Sequence, residues 1–257
     1  MTSPTRTKAS LIDQNWRSDA VWAARLASDR ARAAHNQTAA QRSVTATVLE
    51  RALSQGAEAV ALTGSTARNR RTAISDLDIH IVGSRPRFED LNEGLDLYAT
   101  SADVLWERLR AGDDFIQWTL RFGCILVDHD VFRPALAEIV ETGLWPDPQR
   151  KRDRAKELLA FAERIIATGD LDAAQDQTRA ALTTAARWLL LANGEFPLSR
   201  DELSDQVLDL GCFDLAAALS RLIHADPTLQ ELATGIEIGR LVISLPPRRA
   251  RRAALAR

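Results

Sequence analysis

The chain lacks the features that mark several common classes of protein. Its 257 residues include only two cysteines, Cys124 and Cys212, which lie far apart in apolar surroundings. This pattern predicts buried free thiols in a reducing compartment rather than a disulfide or a pair of metal ligands. No run reaches the ~18 apolar residues that a membrane-spanning helix needs. Residues 1–10 also lack the apolar core of a secretory signal, so we expect a cytoplasmic protein without a membrane partner.

An excess of one charge is missing as well. The formal net charge is −2, and bulk electrostatics therefore give no reason to expect a nucleic acid as partner. What is present is the apolar fraction of an ordinary globular protein, 46%. The length allows one large domain or two small ones.

Hydrophobic periodicity divides the chain into a mixed first part and a helical second part. Strands are predicted over residues 57–63, 77–82, 94–100 and 124–127. Helices in the same part are predicted over residues 13–34, 40–54, 66–71, 102–110, 115–121 and 131–142. After a linker at residues 144–148 the strand signals stop. Further helices are predicted over residues 154–167, 171–192, 199–210 and 214–223.

This order of elements predicts two domains. Residues 1–143 are expected to form an α/β (α+β) domain around a small mixed sheet. Residues 144–257 are expected to form an all-α helical bundle, which ends in an Arg-rich tail over residues 246–257. Ser199 and Glu202 have the spacing of a capping box at the start of one bundle helix.

A turn suited to phosphate binding follows the first strand. Gly64 permits a tight turn and a close approach of the backbone to a ligand. Ser65 adds a hydroxyl donor, and Thr66 opens a short helix whose N-terminal N–H groups favour phosphate. Arg68, with Arg70 or Arg71, can neutralise the outer phosphates. The turn is not a P-loop, because the pattern Gly-x-x-x-x-Gly-Lys-Ser/Thr is absent.

Two carboxylates follow on the second strand. Residues i and i+2 of a strand point to the same face, so Asp76 and Asp78 are expected to project together. At ~4 Å and an effective dielectric constant of ~20, two such charges repel by ~4 kcal/mol, which a cation between them would relieve. Oxygen ligands favour Mg²⁺ or Mn²⁺. His80 shares the face of Asp78, and it is expected either to touch metal or to be a partly buried, hydrogen-bonded histidine.

A third carboxylate lies on the next strand. If Leu95 and Leu97 belong to the core, Asp96 faces the opposite, polar side. There it could bind a second metal ion and take a proton from an attacking hydroxyl. Glu93, at the start of the same strand, is the alternative proton acceptor.

These residues resemble the signature of a known family. Gly64-Ser65-Thr66-Ala67-Arg68 with Asp76-Leu77-Asp78 resembles the Gly-Ser-x-Ala-Arg-Gly…Asp-hydrophobic-Asp signature of the DNA polymerase β-type nucleotidyltransferase superfamily, which includes the antibiotic nucleotidyltransferases. Asn69 stands where the family has glycine. The resemblance covers residues 57–100. It implies that Asp76 and Asp78 bind Mg²⁺, and that Asp96 ligates metal and activates the acceptor.

The helical part resembles the family less closely. Residues 181–188, with Gly194 and Ser199, are similar in style to the C-terminal bundle of aminoglycoside adenylyltransferases, which closes over the acceptor site. Trp188 lies on an apolar helical face and is either a core residue or a platform for the acceptor. Residues 195–237 contain nine acidic residues and two arginines, and an acidic face would attract a cationic acceptor such as an amino sugar.

Together these observations predict a nucleotidyltransferase that modifies a small molecule. We expect two Mg²⁺ ions, or Mn²⁺, and transfer of a nucleoside monophosphate, AMP from ATP, to a hydroxyl of an aminoglycoside-like or other natural-product acceptor. One alternative is an enzyme that modifies protein or tRNA. Another is a nucleotide sensor without catalytic activity.

Overall fold

The computed structural model describes residues 18–71, 75–83 and 94–246, with the side chains of residues 223 and 224 left aside. The chain packs as two units, Met1–Pro146 and Asp147–Arg257. The first contains a small mixed sheet with helices, and the described part of the second contains helices without strands. This confirms the predicted fold class. The roles predicted for domains 1–143 and 144–257 stay predictions, and Glu93, residues 13–17 and the tail 247–257 lie outside the described residues.

A four-stranded sheet organises the first unit. Its strands are β1 (Ala57–Leu62), β2 (Leu77–Gly83), β3 (Leu95–Thr100) and β4 (Cys124–Asp128). They lie in the order β3-β2-β1-β4. Strand β1 is antiparallel to both of its neighbours, whereas β2 and β3 are parallel. The four predicted strands are therefore confirmed, each to within about one residue at its ends.

Six helices surround this sheet in the described part of the unit. They are α1 (Asp19–Asn36), α2 (Ala39–Ser54), α3 (Gly64–Ala67), α4 (Ala102–Arg110), α5 (Asp114–Phe122) and α6 (Phe132–Thr142). Helix α4 begins where predicted, because the Ser101 side chain accepts from the Val104 N–H. One face of the sheet packs against α4, α5 and α6 through fully buried residues that include Leu105, Ile116 and Phe132. Each such side chain contributes ~1.5–3 kcal/mol of burial free energy.

Helix α1 holds the edge strand β4 through a buried carboxylate. Asp29, which is 2% exposed, accepts from the Arg25 Nε at 2.8 Å and the Arg32 Nη2 at 2.9 Å. It also accepts from the backbone N–H of Ile125 at 3.1 Å. Arg32 donates in turn to the carbonyl of Gly123. The network supplies hydrogen-bond partners for backbone groups at a sheet edge. Without it, these groups would have to hydrogen-bond to water.

The second unit is helical throughout its described residues. Its elements are α7 (Pro148–Ile166), α8 (Leu171–Ala192), a 3-10 turn (Arg200–Glu202), α9 (Leu203–Asp209), α10 (Phe213–His224) and α11 (Leu229–Ser244). Helix α7 begins earlier than the predicted residue 154, because Asp147 caps it and Pro148 suits its first position. The predicted capping box is present, and in it the Ser199 N–H donates to the Glu202 carboxylate. None of the described helices combines the length and apolar character needed to cross a membrane.

Helix α11 is the one long element that the sequence patterns did not predict. It carries Gly235 and Gly239, which lower intrinsic helix propensity. Tertiary packing explains the helix, because a Cβ at Gly239 would lie 2.7 Å from Leu159 and 2.8 Å from Leu182. The glycines thus let α11 approach α7 and α8 closely, and burial of Ile236 in the resulting core outweighs the propensity cost.

Candidate functional site

Asp78 and Asp96 lie side by side on the parallel strands β2 and β3. The register pairs their Cα atoms directly, and neighbouring strands are ~4.8 Å apart. Both side chains therefore project from the same face of the sheet, at the end where the two strands begin. Asp78 is half-buried and Asp96 is exposed. The structure thus brings together two of the three carboxylates on which the sequence argument depended.

Asp76 lies just outside this arrangement. Strand β2 begins at Leu77, and Asp76 precedes it as an exposed residue. Strand geometry therefore does not hold its side chain on the face of Asp78. Within the described residues, no group of three His, Cys, Asp or Glu side chains lies close enough to hold a metal ion. The residues fit a metal as a pair, Asp78 with Asp96, to which ligand oxygens or Asp76 would have to be added.

The predicted phosphate turn is seated against Asp78. Gly64 has φ +63°, and a Cβ at this position would overlap the Asp78 carboxylate. The backbone N–H of Thr63 donates to the Asp78 carbonyl at 2.8 Å. Because only glycine leaves this space free, Gly64 allows the turn and the carboxylate to lie in contact. The turn and the metal-binding candidate are thus parts of one site.

The helix that follows this turn is a single turn long. Helix α3 covers only Gly64–Ala67, shorter than the predicted residues 66–71, so its dipole contributes little to anion binding. Thr66 is fully buried as a whole residue, so neither its hydroxyl nor its backbone N–H is open to a phosphate. Ser65 is half-buried, and the half-buried Arg68 lies with its Cζ 5.2 Å from the centre of the Phe122 ring.

Asn69 closes the same turn in the left-handed conformation. Its φ of 55° is the region in which asparagine is tolerated best after glycine. The family signature has glycine at this point, and the asparagine preserves the backbone path that a glycine would take. Arg70 and Arg71 are exposed beyond it.

A cavity of about 180 Å³ opens beside the two carboxylates. Six of its lining residues carry polar or aromatic side chains: Thr63, Asp78, Asp96, Tyr98, Arg108 and Phe115. The sequence argument missed four of them. Tyr98 had a usable signal, since it lies two residues after Asp96 and so on the same face. Arg108 and Phe115 had none, because only the packing of α4 and α5 on the sheet brings them there.

His80 lies on β2 two residues after Asp78, and its ring is inside an aromatic cluster. Its ring is fully buried and lies 4.9 Å from Tyr98, 5.5 Å from Phe115 and 5.7 Å from Phe132, measured between ring centres. Neither ring nitrogen has a hydrogen-bond partner among the described residues. Burial, with a smaller contribution from the charge of Arg108, lowers the pKa of His80 to about 3. The expected hydrogen-bonded histidine is therefore a neutral packing residue without that hydrogen bond.

Arg108 is held in a defined orientation at the cavity. Its Nε and Nη2 donate to one oxygen of Asp113, at 2.9 and 2.6 Å. The other oxygen of Asp113 caps α5 by accepting from the N–H groups of Phe115 and Ile116. The Arg108 Cζ lies 5.2 Å from the centre of the Tyr98 ring, within range of a cation–π interaction. Two helices and a ring therefore fix a partly exposed positive charge beside Asp78 and Asp96.

In the second unit, the residues considered for acceptor binding are Trp188 and the acidic side chains of residues 195–237. Trp188 is 2% exposed and belongs to the hydrophobic core, which confirms the core interpretation. Several acids are already engaged: Glu231 caps α11 and pairs with Arg221 at 2.6 Å. Glu237 pairs with Arg240 at 2.9 Å. Fewer acidic charges than the sequence count indicated are therefore available to a cationic acceptor.

Comparison with known proteins adds remote similarity to solved structures. No protein-family model matches the chain, and no curated protein matches it. Among solved structures, it is similar to a nucleotidyltransferase-like protein from Exiguobacterium sibiricum, with a TM-score of 0.39 and 15% sequence identity. That alignment covers 79% of this chain and 74% of the other.

Proposed function

We propose that this protein is a metal-dependent nucleotidyltransferase. In this reaction a hydroxyl of a small molecule attacks the α-phosphorus of a nucleoside triphosphate, ATP in the simplest case, and pyrophosphate leaves. The observation that carries the proposal is one arrangement in the first unit. Asp78 and Asp96 are register partners, and the Gly64 turn lies directly against the Asp78 carboxylate.

The donor half of the reaction would use the β1 side of this arrangement. Asp78 and Asp96 would hold Mg²⁺ or Mn²⁺ together with phosphate oxygens, and Asp76 would complete the ligands from its exposed position. A metal ion held there neutralises charge on the triphosphate and on departing pyrophosphate. The backbone at Gly64 and the Ser65 hydroxyl would hold phosphate oxygens, and Arg68 would balance the charge of the outer phosphates.

Asp96 is the proposed proton acceptor. It is exposed at the start of β3, where a hydroxyl can reach it, and it lies beside Asp78 rather than behind it. The acceptor oxygen forms its bond to the α-phosphorus while the bond from that phosphorus to the bridging oxygen breaks. The hydroxyl proton passes to Asp96. Aminoglycoside-like and other natural-product hydroxyls are the acceptors that the sequence resemblance implies.

The metal assignment is tested with a matched pair of carboxylate variants. Asp78→Asn should abolish pyrophosphate release and weaken Mg²⁺-dependent ATP binding at least about tenfold, since the charge that holds the metal is removed. Asp103→Asn removes an exposed carboxylate of α4 and should leave both quantities unchanged. Isothermal titration calorimetry and a pyrophosphate assay provide the readouts. Undiminished turnover in Asp78→Asn would show that the assignment is wrong.

Labelling separates the small-molecule acceptor from the macromolecular alternatives. A lysate incubated with the protein and ATP labelled at the α-phosphate should yield label in small molecules. Label in protein or RNA bands would instead favour a protein- or tRNA-modifying enzyme. ATP binding without any pyrophosphate release would favour a nucleotide sensor.

A further inference from the structure

The cavity beside the carboxylates extends from Thr63, at the start of the phosphate turn, to Tyr98 and Arg108 on the β3 side of the site. The sheet order β3-β2-β1 places the Gly64 turn on the β1 side of Asp78, and Asp96 on the opposite side. Tyr98, on β3, and Arg108 line the cavity from this opposite side. If the triphosphate lies on the β1 side, as proposed above, the β3 end of the cavity is where the attacking hydroxyl would be held.

The walls of the cavity have a definite chemical character. Tyr98 and Phe115 form an apolar, aromatic wall, with their ring centres 4.8 Å apart. Such a wall suits a flat ring or a short hydrocarbon segment. The volume of about 180 Å³ is below the range typical of sites for drug-sized ligands. One ring of an acceptor fits within it.

Arg108 adds a positive charge whose remaining donors are available. Asp113 takes its Nε and Nη2, while Nη1 makes no hydrogen bond with a described residue. The side chain is 33% exposed, and Tyr98 and Asp113 restrict its motion. Once a metal ion neutralises Asp78 and Asp96, as proposed above, a guanidinium fixed in this way favours a carboxylate over a neutral group, and it repels an ammonium group.

From these features, and resting on the proposed transfer reaction, we infer that Arg108 determines acceptor specificity. The cavity takes a small hydroxy compound that carries a carboxylate. The ring or chain of this acceptor packs on Tyr98 and Phe115, its carboxylate pairs with Arg108, and its hydroxyl faces Asp96. The acceptor class is therefore a hydroxy acid rather than an aminoglycoside.

Direct binding tests this inference without requiring turnover. The probes are 3-hydroxybenzoate and 4-hydroxybenzoate, each compared with its methyl ester, and the aminoglycoside kanamycin. Titration calorimetry in Mg²⁺, with and without a non-hydrolysable ATP analogue, measures their affinities. We expect at least one acid to bind at least about tenfold more tightly than its ester, as a charged hydrogen bond implies.

Arginine variants identify the residue responsible. Arg108→Gln should remove the preference for the acid, and Arg108→Lys should retain part of it. Arg133→Gln is the matched control, because Arg133 is also partly buried and pairs with Asp19 at 2.6 Å but does not line this cavity. It should keep the preference. Thermal unfolding of all three variants separates a loss of recognition from a loss of folding.

The two proposals fail in different ways. Absence of Mg²⁺-dependent ATP binding in the wild-type protein would overturn the transferase, while the acid–ester comparison would still report on Arg108. The inference about Arg108 is overturned if neither acid binds more tightly than its ester. Tighter binding of kanamycin, or an unchanged preference in Arg108→Gln, would overturn it as well and leave the transferase intact.

Discussion

The Asp78 carboxylate occupies the space that a Cβ on Gly64 would fill. A Cβ built on Gly64 overlaps the Asp78 side chain, and the glycine has φ +63°. Fourteen positions separate the two residues in the chain, yet the turn after β1 and the start of β2 bring them into contact. The absence of a side chain at one position thus allows the functional group at the other to occupy its place.

Gly64→Ala should therefore impair the site more than the fold. A left-handed alanine costs ~1–2 kcal/mol, and the new methyl group must also displace the Asp78 carboxylate. Gly143→Ala is the control, since Gly143 has φ +65° and no atom within 4 Å of the added Cβ. Both variants should lose similar stability in urea unfolding. Only Gly64→Ala should weaken Mg²⁺-dependent ATP binding, by at least about tenfold; equal binding in the two variants would contradict this account.

Burial of His80 should make stability depend on pH in the acid range. The folded pKa of about 3 lies below the ordinary value of 6.5, so below pH 6.5 the unfolded chain binds a proton that the folded chain does not. The free energy of unfolding should therefore fall as the pH drops from 6.5 toward 3, by up to about 1.4 kcal/mol per pH unit. Urea unfolding of the metal-free protein at several pH values measures this slope.

Replacement of the ring tests the assignment of that slope. His80→Phe keeps an aromatic side chain in the cluster and removes the two unpartnered nitrogens, so its unfolding free energy should vary less with pH. His129→Phe, at an exposed position, should keep the wild-type slope. An unchanged slope in His80→Phe would place its origin in other groups.

Neutralising Asp29 should lower the free energy of unfolding more than neutralising Asp176. Asp29→Asn leaves Arg25 and Arg32 without their buried counter-charge and weakens the bond to the Ile125 N–H, at an expected cost of roughly 2–3 kcal/mol. Asp176→Asn removes an ion pair with Arg179, in which the Asp176 side chain is 71% exposed. This change should lower the free energy of unfolding by less than about 0.5 kcal/mol. Urea unfolding compares the two, and similar costs would contradict a structural role for Asp29.

The two glycines of α11 should respond differently to alanine. Alanine favours a helix over glycine by ~1 kcal/mol. At Gly235 the added Cβ would lie 3.2 Å from one Leu182 methyl group, so Gly235→Ala should be close to neutral. At Gly239 it would lie within 2.8 Å of both Leu159 and Leu182, and overpacking should make Gly239→Ala destabilising by ~1–3 kcal/mol. Thermal unfolding measures the stabilities of the two variants. A stabilising effect of Gly239→Ala would contradict the overpacking expected there.

Much of the secondary structure could be predicted because its signals are local. Alternation of apolar residues, Gly punctuation and the Ser101 cap were enough to find the four strands and most helices. Two helices differ from the prediction. Helix α11 forms despite its glycines, because they permit contact with α7 and α8. Helix α3 ends after one turn, where Asn69 adopts the left-handed conformation.

Only the part of the candidate site that lies on or next to the strands could be predicted from the sequence. The spacing of Gly64, Asp78 and Asp96 was sufficient to place them on neighbouring strands. That they share one site depended on strand period and on short connections, both of which are sequence properties. Asp76 was expected beside Asp78; it directly precedes β2, and its role as a metal ligand stays a prediction.

By itself, the sequence determined the types of element, the turn at Gly64 and the carboxylates that could bind metal. The tertiary structure alone decided what surrounds them. The register of β2 and β3 set Asp78 against Asp96, and the packing of α4 and α5 brought Arg108 and Phe115 to the same cavity. The physical reason is the range of the interactions: periodicity and capping act over a few residues, whereas cavities arise where segments distant in the chain pack together.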